Sequence, residues 1–76
     1  MPQQSMDFAK LGTVLGRNVH NLRVKQHISV SLLSRVARIS RPLLSKIERG
    51  EADVRLSYIE RLADALCVDP FQLLEP

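Results

Sequence analysis

The segment SVSLLSRVARISRPLLSKIERG, residues 29–50, constrains the fold of this chain more than any other stretch. Its apolar residues recur at the spacing of a helix face on both sides of Ile39, first at Leu33, Val36 and Ala37 and then at Leu44 and Ile47. Ser29 and Ser40 precede the two runs, and serine hydroxyls cap helix N-termini well. Pro42 suits the first turn of the second helix, and Gly50 suits a left-handed residue after its end. The segment therefore predicts two short helices joined by a tight turn.

A cationic, hydrogen-bonding stripe lies between the apolar residues of the second helix. Residues three and four apart share a helix face, which groups Arg41, Ser45 and Arg49, with Pro42 and Lys46 beside them. An arginine fork can bind guanine O6 and N7, and proline can offer a thymine methyl only an apolar contact. We therefore expect helix 41–49 to enter the DNA major groove and to contact bases through Arg41, Pro42, Ser45 and Lys46. For Arg41 and Lys46 the alternative is contact with a phosphate.

Charge is divided unevenly along the chain. Residues 1–50 hold nine lysines and arginines against two acids, a net charge of +7, whereas residues 51–76 hold two against six, a net charge of −4. This polarity is typical of a protein that approaches a polyanion in one orientation. The alternative for each single arginine is a solvated charge on a helix surface.

Across the whole chain the apolar spacing predicts five helices and no strand. The first runs from about Thr13, as N-cap, to about Gln26, and Gly16 within it predicts close packing against another backbone. The fourth carries an apolar stripe at Leu56, Ile59, Leu62, Ala63 and Leu66, and the fifth is a short turn that follows Asp69 and Pro70. We expect a compact all-α domain over residues 13–76, built around the two central helices, and an N-terminal arm over residues 1–12.

Composition and motifs exclude several classes of function. No apolar run approaches the roughly 20 residues of a membrane span, and the first residues lack an apolar signal region, so we expect a cytoplasmic protein. Cys67 is a single cysteine, and His20 and His27 give it no zinc-binding spacing, so we expect a buried thiol and no metal. A nucleophile elbow, a phosphate-binding glycine loop and a carboxylate cluster are all lacking in the sequence. We therefore expect no enzymatic activity and no cofactor.

Motifs from Leu15 to Leu74 resemble those of a known family. In order and at matching separations the chain supplies Leu22-Arg23, Leu33-Ser34, Ile39-Ser40, the run SKIERG at 45–50, the run LADALCV at 62–68, and Leu73-Leu74. This series resembles the Cro/phage-repressor (XRE) type of helix-turn-helix transcriptional regulator. The resemblance implies a repressor-like five-helix domain whose central helix-turn-helix binds double-stranded DNA, and a regulator that associates with the nucleoid when it is bound to DNA.

The resemblance also implies roles for residues outside the second short helix. Phosphates would be bound by Ser29 and Val30 at the start of the first short helix, by Arg49, and by the loop that ends at Arg55. Arg23 and Glu48 would form an ion pair that orients the reading helix and leaves donors of Arg23 for a phosphate. The alternative for that pair is an exposed contact worth under ~1 kcal/mol.

Several positions depart from the family pattern. Val30 stands where the family commonly has glutamine, and Glu51 and Asp53 bring negative charge to the loop that would face phosphates. Arg38 and Cys67 stand where glycine is usual. Glycine is favoured at such positions because the backbone adopts a positive φ, which costs another residue roughly 1 kcal/mol or more. We therefore expect local strain at Arg38 and Cys67 within an unchanged fold.

A homodimer is expected because a lone domain of this size reads few base pairs. Two copies on one face of DNA would contact half-sites ~34 Å apart. By resemblance the C-terminal turn would form the dimer contact through Phe71, Leu73 and Leu74, the alternative being that Phe71 and Leu74 cap the core. The alternative to a DNA-binding regulator is a protein-interaction module, such as an antitoxin or adaptor with a toxin as partner, that uses apolar residues of the helix-turn-helix surface.

Overall fold

The computed structural model describes residues 8–76, which form four α-helices followed by a short 3-10 helix. The elements are α1 (Phe8–Lys25), α2 (Val30–Ala37), α3 (Arg41–Glu48), α4 (Leu56–Leu66) and the 3-10 helix η1 (Pro70–Leu74). α1 packs against α3, α4 and η1, and α2 packs against α3 and α4. Because no strand occurs in residues 8–76, the all-α prediction is confirmed for that part of the chain.

Both ends of the helical series differ from the prediction. α1 begins at Phe8 and not near Thr13, because residues 9–11 are strong helix formers and a glycine at position 12 costs only ~1 kcal/mol. The helix therefore includes residues 8–12 of the predicted N-terminal arm, and residues 1–7 of that arm lie outside the described residues. The fifth element, η1, is a 3-10 helix because its five residues are too few for a stable α-helical ladder.

The hydrophobic core takes side chains from all five elements. Its largest fully buried members are Val19, Leu33, Leu44, Ile47, Leu62, Leu66 and Leu73. Val36 and Leu56 belong to the apolar stripes of α2 and α4, but both are exposed, Leu56 to 76%, so burial of Val36 with Leu33 and Ala37 is not observed. Leu33 and Ala37 define the inner side of α2, which turns Val36 outward, and Leu56 is the first residue of α4, at the edge of the core.

Side-chain caps begin three of the helices. Ser29 accepts a hydrogen bond from the N–H of Leu32, and Ser40 accepts one from the N–H of Leu43. Asp69 and Gln72 form a reciprocal capping box at the start of η1. These caps confirm the predicted starts of α2, α3 and η1.

All four α-helices end in the same hydrogen-bonded motif. A left-handed residue follows each helix, and the next N–H donates to the carbonyl five residues back, which is the Schellman arrangement. The left-handed residues are His27 (φ 58°), Arg38 (φ 60°), Gly50 (φ 74°) and Cys67 (φ 60°). The corresponding N···O distances are 3.2 Å for Ile28 to Arg23, 2.9 Å for Ile39 to Ser34, 3.0 Å for Glu51 to Lys46 and 3.0 Å for Val68 to Ala63.

Arg38 and Cys67, at the ends of α2 and α4, were expected to have a positive φ, and Cys67 was also expected to be buried. The positive φ expected at Arg38 and Cys67 is confirmed. The prediction that Cys67 is buried is wrong, because the thiol lies on the solvent side of the turn that ends α4. The two positions where the family usually has glycine thus have a positive φ here as well, although the side chains of Arg38 and Cys67 make this conformation less favourable.

Long-range side-chain caps hold the C-terminal elements onto the rest of the domain. Asn18 of α1 donates to the carbonyl of Leu73, within η1, at 2.9 Å and to that of Glu75, just after η1, at 2.8 Å. Gln26 donates to the carbonyl of Leu66 at the end of α4 (2.8 Å). Because these polar side chains bond to backbone 40 to 57 residues away, the helical spacing of the sequence gives no sign of them.

We expect Arg38→Gly to raise the free energy of unfolding by about 1 kcal/mol, because glycine adopts the left-handed conformation without steric cost. Urea denaturation measures the change. The matched control is Arg35→Gly in the last turn of α2, where glycine should lower the free energy of unfolding by about 1 kcal/mol. A lower unfolding midpoint for Arg38→Gly would show that its side chain stabilises the fold in a way that outweighs the strain.

Candidate nucleic-acid interface

α1 lies directly against the C-terminal end of α3. A Cβ atom on Gly16 would overlap the carbonyl oxygen of Ile47 and lie 2.9 Å from that of Glu48. A Cβ atom on Gly50 would lie 3.1 Å from the Cα of Thr13. The close approach predicted at Gly16 is therefore confirmed, and it fixes the distance between α1 and the end of α3.

Arg23 and Glu48 join the same two helices through a bidentate ion pair. The Nε of Arg23 donates to Glu48 Oε2 at 2.6 Å, and Nη2 donates to Oε1 at 3.0 Å. Nη1 donates to the carbonyl of Ile28, just before α2, at 3.0 Å. The side chains are only 13% and 10% exposed, so this is not the exposed contact considered as an alternative. Arg23 thereby ties α1 to the end of α3 and to the approach to α2.

Burial and pairing act in opposite directions on the ionisation of this pair. Burial raises the pKa of Glu48, but the hydrogen bonds from Arg23 and His20 and their charges outweigh it, so the pKa lies below the ordinary 4.5. The hydrogen bond to Glu48 raises the pKa of Arg23, against the opposing effect of burial. Both side chains are therefore charged at neutral pH, and the pair stabilises the position of α3.

His20 is a third member of this cluster, a position that was not predicted from the sequence. It lies one turn before Arg23 on α1, and its Nδ1 is 3.0 Å from Glu48 Oε1 and 3.3 Å from Arg23 Nη2. The i, i+3 spacing of His20 and Arg23 was the only signal available in the sequence. Nothing local indicates that Glu48, 28 residues away, approaches both.

The two sides of α3 differ in polarity. Its apolar residues turn inward, with Leu44 and Ile47 buried and Leu43 half-buried against the core. The other side carries the four residues predicted to contact bases, of which Arg41, Pro42 and Lys46 are exposed and Ser45 is half-buried. α3 thus presents two cations, a hydroxyl and an apolar ring to the outside.

The residues predicted to contact phosphates occupy three different surroundings. Ser29 is exposed and uses its hydroxyl to cap α2, while the side chain of Val30 packs against the core and leaves only its backbone N–H for a ligand. Arg55 is exposed as the N-cap of α4. The Nε of Arg49 donates to Glu51 Oε1 at 3.2 Å, and both side chains are more than half exposed. Glu51 therefore uses one of the five guanidinium donors of Arg49 and brings a negative charge next to the site predicted for a phosphate.

Three of the five guanidinium donors of Arg23 are already used by Glu48 and Ile28. With its side chain only 13% exposed, Arg23 is far less accessible to a phosphate than the exposed arginines of the same surface. The geometry gives Arg23 an orienting role.

The three C-terminal residues predicted to form a dimer contact do not share one surface. Leu73 is completely buried in the core, so the prediction that it contacts a partner is wrong. In a 3-10 helix residues three apart eclipse one another, which puts Phe71 and Leu74 on one side and Leu73 on another. Phe71 is 77% exposed, and Leu74 lines an apolar groove of about 230 Å³ together with Leu11, Val54, Leu56 and Ile59.

Residues 10–76 bring together no group of three histidine, cysteine or acidic side chains that could hold a metal ion. Within the described part of the chain, no helix combines the length and the apolar character needed to span a bilayer.

Comparison with known proteins identifies relatives over most of the chain. The helix-turn-helix domain family matches residues 14–74. A hypothetical transcription factor of Neisseria meningitidis serogroup B is 36% identical over 76 residues, which are 100% of this chain and 72% of the relative. The crystal structure of the Neisseria transcription factor superposes with a TM-score of 0.85 and covers 100% of this chain and 87% of the solved one.

Two further crystal structures share this arrangement. The restriction-modification controller protein C.AhdI from Aeromonas hydrophila is 29% identical, with a TM-score of 0.79 and coverage of 82% of this chain and 94% of its own. The clp gene regulator ClgR from Corynebacterium glutamicum is 25% identical, with a TM-score of 0.80 and coverage of 84% and 68%.

We expect Glu48→Gln to lower the free energy of unfolding at pH 7 by about 1.5–3 kcal/mol, the effect typical of losing hydrogen bonds to a charged group. Folding lowers the pKa of Glu48 below 4.5, so its charge stabilises the fold above that pH, and the stabilisation is lost as the pH falls through the folded-state pKa. Urea denaturation at pH 7 and pH 3 should therefore show a smaller difference between the two proteins at pH 3 than at pH 7.

The matched control is Glu60→Gln, an exposed carboxylate on α4. Its effect at pH 7 should stay within about 0.5 kcal/mol. Equal losses for the two variants at pH 7, or a Glu48→Gln effect that does not decrease between pH 7 and pH 3, would contradict a stabilising charge at Glu48.

Proposed function

This chain belongs to the helix-turn-helix domain family, as a DNA-binding transcriptional regulator of the Cro/phage-repressor type, and we propose that it recognises specific sequences in double-stranded DNA as a homodimer. The observation that carries the proposal is the outward polar side of α3, held in a fixed orientation by the contact with α1 and the Arg23–Glu48 pair. The Neisseria relative, C.AhdI and ClgR are described as a transcription factor, a controller protein and a gene regulator, which supports a regulatory role.

Base recognition is assigned to α3 in the major groove. Arg41 lies in the first turn, where the N-terminal residues of a recognition helix reach base edges, and its fork suits guanine. Pro42 offers an apolar surface for a thymine methyl, and Lys46 and Ser45, about one turn further along, supply hydrogen bonds. Arg41, Pro42 and Lys46 are exposed in the free protein, so they reach a base without any change of fold.

Phosphate binding is assigned to the ends of helices and to the exposed arginines around α3. The hydroxyl of Ser29 caps the N–H of Leu32, which leaves the first N–H groups of α2, at Val30 and Ser31, directed at an anion. Arg49 releases its ion pair with Glu51 and binds a phosphate in its place. Arg55 binds a second phosphate at the start of α4. Arg23 orients this surface through Glu48.

The homodimer contact is assigned to the apolar surface around η1. Phe71 projects from the side of η1 that also carries Leu74, and Leu74 shares its groove with Leu11 and Leu56. A surface with both a groove and a projecting ring can bind a second copy of itself about a twofold axis. This contact would place two α3 helices on half-sites ~34 Å apart.

The proposed function is tested by selection of bound duplexes from a random pool, which should recover a palindrome. On the selected duplex, Arg41→Ala should cost about 1–3 kcal/mol of binding free energy and relax the preference at one base pair of each half-site. Arg49→Ala should weaken selected and random duplexes alike. Affinities for both duplexes are measured between 50 and 200 mM salt, where the logarithm of the binding constant should fall linearly with the logarithm of the salt concentration.

Equal losses on selected and random duplexes for both variants would contradict base contact by Arg41. Failure to recover any duplex, with binding to a protein partner that barely responds to salt, would favour a protein-interaction module in place of a DNA-binding regulator.

We expect Phe71→Arg to give a folded monomer, because this exposed ring contributes little to the core of its own subunit and its loss removes the contact with the second copy. The variant should lose cooperative binding to paired half-sites and keep weak binding to random DNA. Analytical ultracentrifugation gives the oligomeric state, and circular dichroism gives the fold.

The matched control is Val36→Arg, which replaces an exposed apolar residue of α2 away from η1 and should leave the dimer intact. A Phe71→Arg variant that sediments as a dimer would put the interface elsewhere, and one that unfolds would assign Phe71 to the core.

A further inference from the structure

His20 occupies a distinctive place on α1. Gly16, His20 and Arg23 follow one another at spacings of four and three, so they share the face of α1 that contacts the end of α3. Gly16 allows the helices to touch, and Arg23 is held by Glu48 in the interior of the contact. His20 lies at the outer edge of the same contact, where its side chain is 51% exposed.

The contact with Glu48 fixes which ring nitrogen carries hydrogen. Glu48 is ionised at neutral pH and can only accept, so Nδ1 of His20, 3.0 Å from Oε1, must donate. Arg23 Nη2 lies 3.3 Å from the same Nδ1, but two donors form no hydrogen bond, and Nη2 already donates to Glu48 Oε1. The neutral ring is therefore the Nδ1–H tautomer, with an unprotonated Nε2.

The free nitrogen does not face Glu48. Nδ1 and Nε2 are separated by one ring carbon and their hydrogen-bonding directions diverge widely, and it is Nδ1 that faces Glu48, whose side chain is 10% exposed. Because the His20 side chain is 51% exposed, Nε2 belongs to the more accessible part of the ring, at the outer edge of the contact with α3. Arg23 and Glu48, the other charged members of the cluster, are far less accessible.

We propose that His20 is a phosphate-binding residue of the DNA-binding surface, with protonated Nε2–H donating to a phosphate of the DNA backbone while Nδ1–H remains bonded to Glu48. The proposal rests on the proposed function, because the phosphate is that of DNA bound through α3. It assigns to His20 the contact that Arg23, enclosed by Glu48 and Ile28, is poorly placed to make.

The charges around the ring determine the sign of the pH dependence. Glu48 from α3 and Arg23 from α1 lie within hydrogen-bond distance of the ring, and Arg17 precedes it by one turn on α1. With a neutral His20, the charges of Arg23 and Glu48 cancel. Protonation of Nε2 gives the cluster a net charge of +1 beside the phosphate. Binding of DNA and binding of the proton then strengthen each other by the same factor.

The experiment compares DNA affinity at pH 7.5 and pH 5.5, because imidazole is the side chain that changes charge in this range. The probe is a 20-base-pair duplex of random sequence, since phosphate contacts do not depend on base identity. At constant salt, the wild-type protein should bind about two- to fivefold more tightly at pH 5.5, because a phosphate beside the ring favours its protonated form. His20→Gln should remove this dependence, because glutamine can donate to Glu48 but cannot take up a proton.

Two further variants separate charge from structure. His27→Asn replaces the other histidine, an exposed left-handed residue in the turn after α1, and should keep the wild-type pH dependence. His20→Lys carries a permanent charge and should bind at pH 7.5 about as tightly as the wild type binds at pH 5.5. Equal pH dependence in the wild type and His20→Gln, or its loss in His27→Asn, would overturn the proposal.

A measurement on the wild-type protein decides the matter if His20→Gln does not fold. Proton NMR titration of the two imidazole rings should show the pKa of His20 rising when the duplex is added, with that of His27 unchanged. Inorganic phosphate in place of DNA should produce a much smaller rise, and an equal rise would identify a site for free phosphate and overturn the assignment to DNA. If no duplex binds at either pH, the proposed function fails together with this inference, whereas pH-independent DNA binding removes only the role of His20.

Discussion

The orientation of the proposed DNA-binding surface depends on the direct contact between α1 and the C-terminal turn of α3. Gly16 and Gly50 remove the side chains that would separate the two backbones, so sterics set their distance. Burial of Leu44 and Ile47 in the core determines which side of α3 faces outward. The bidentate pair between Arg23 and Glu48 makes that orientation more precise, because two parallel hydrogen bonds between planar groups have a narrow preferred geometry. Core packing, small residues and one ion pair together therefore position the outward side of α3.

The ends of the α-helices show how far hydrogen bonding can override residue preference. All four close with the same bond to the carbonyl five residues back, yet only Gly50 is a glycine. Gly50 alone meets a second constraint, since a Cβ atom there would crowd Thr13 of α1. At Arg38 and Cys67 the side chain projects into solvent, so the cost is limited to backbone strain of roughly 1 kcal/mol or more each. A small domain tolerates that strain because the alternative is an unsatisfied helix end.

Sequence reasoning succeeded where the determining forces are local. Serine caps, the position of Pro42 and the left-handed Gly50 follow from neighbours within five positions, and most buried positions follow from helical spacing. The positive φ at Arg38 and Cys67 was predicted from the family's glycine positions, and that at His27 was not predicted. Sequence reasoning failed where the burial or the contacts of a side chain depend on residues distant in sequence, or where the side chain lies at the edge of the core. Leu56 and Leu73 both belong to apolar runs, but the packing of η1 against α1 and α4 encloses Leu73, whereas Leu56 begins α4 at the edge of the core. The Arg23–Glu48 pair was available only through family resemblance, and His20 entered the cluster through a contact 28 residues away in sequence.

The cations of the proposed DNA-binding surface differ in the existing interactions that each must lose before it can bind a phosphate or a base. If Arg23 turned to a phosphate, Glu48 would remain as a largely buried carboxylate without its partner, at a cost of several kcal/mol. Arg49 gives up only an exposed pair with Glu51, which is worth at most about 1 kcal/mol. Arg41 and Lys46 form no ion pair with any described residue and give up only water. Contacts from Arg41 and Lys46 in the proposed complex would therefore add directly to affinity, while Glu51 would lower affinity for every sequence alike. In the proposed complex, discrimination between sequences then rests on the first turn of α3, and the surrounding charges set only the overall strength of binding.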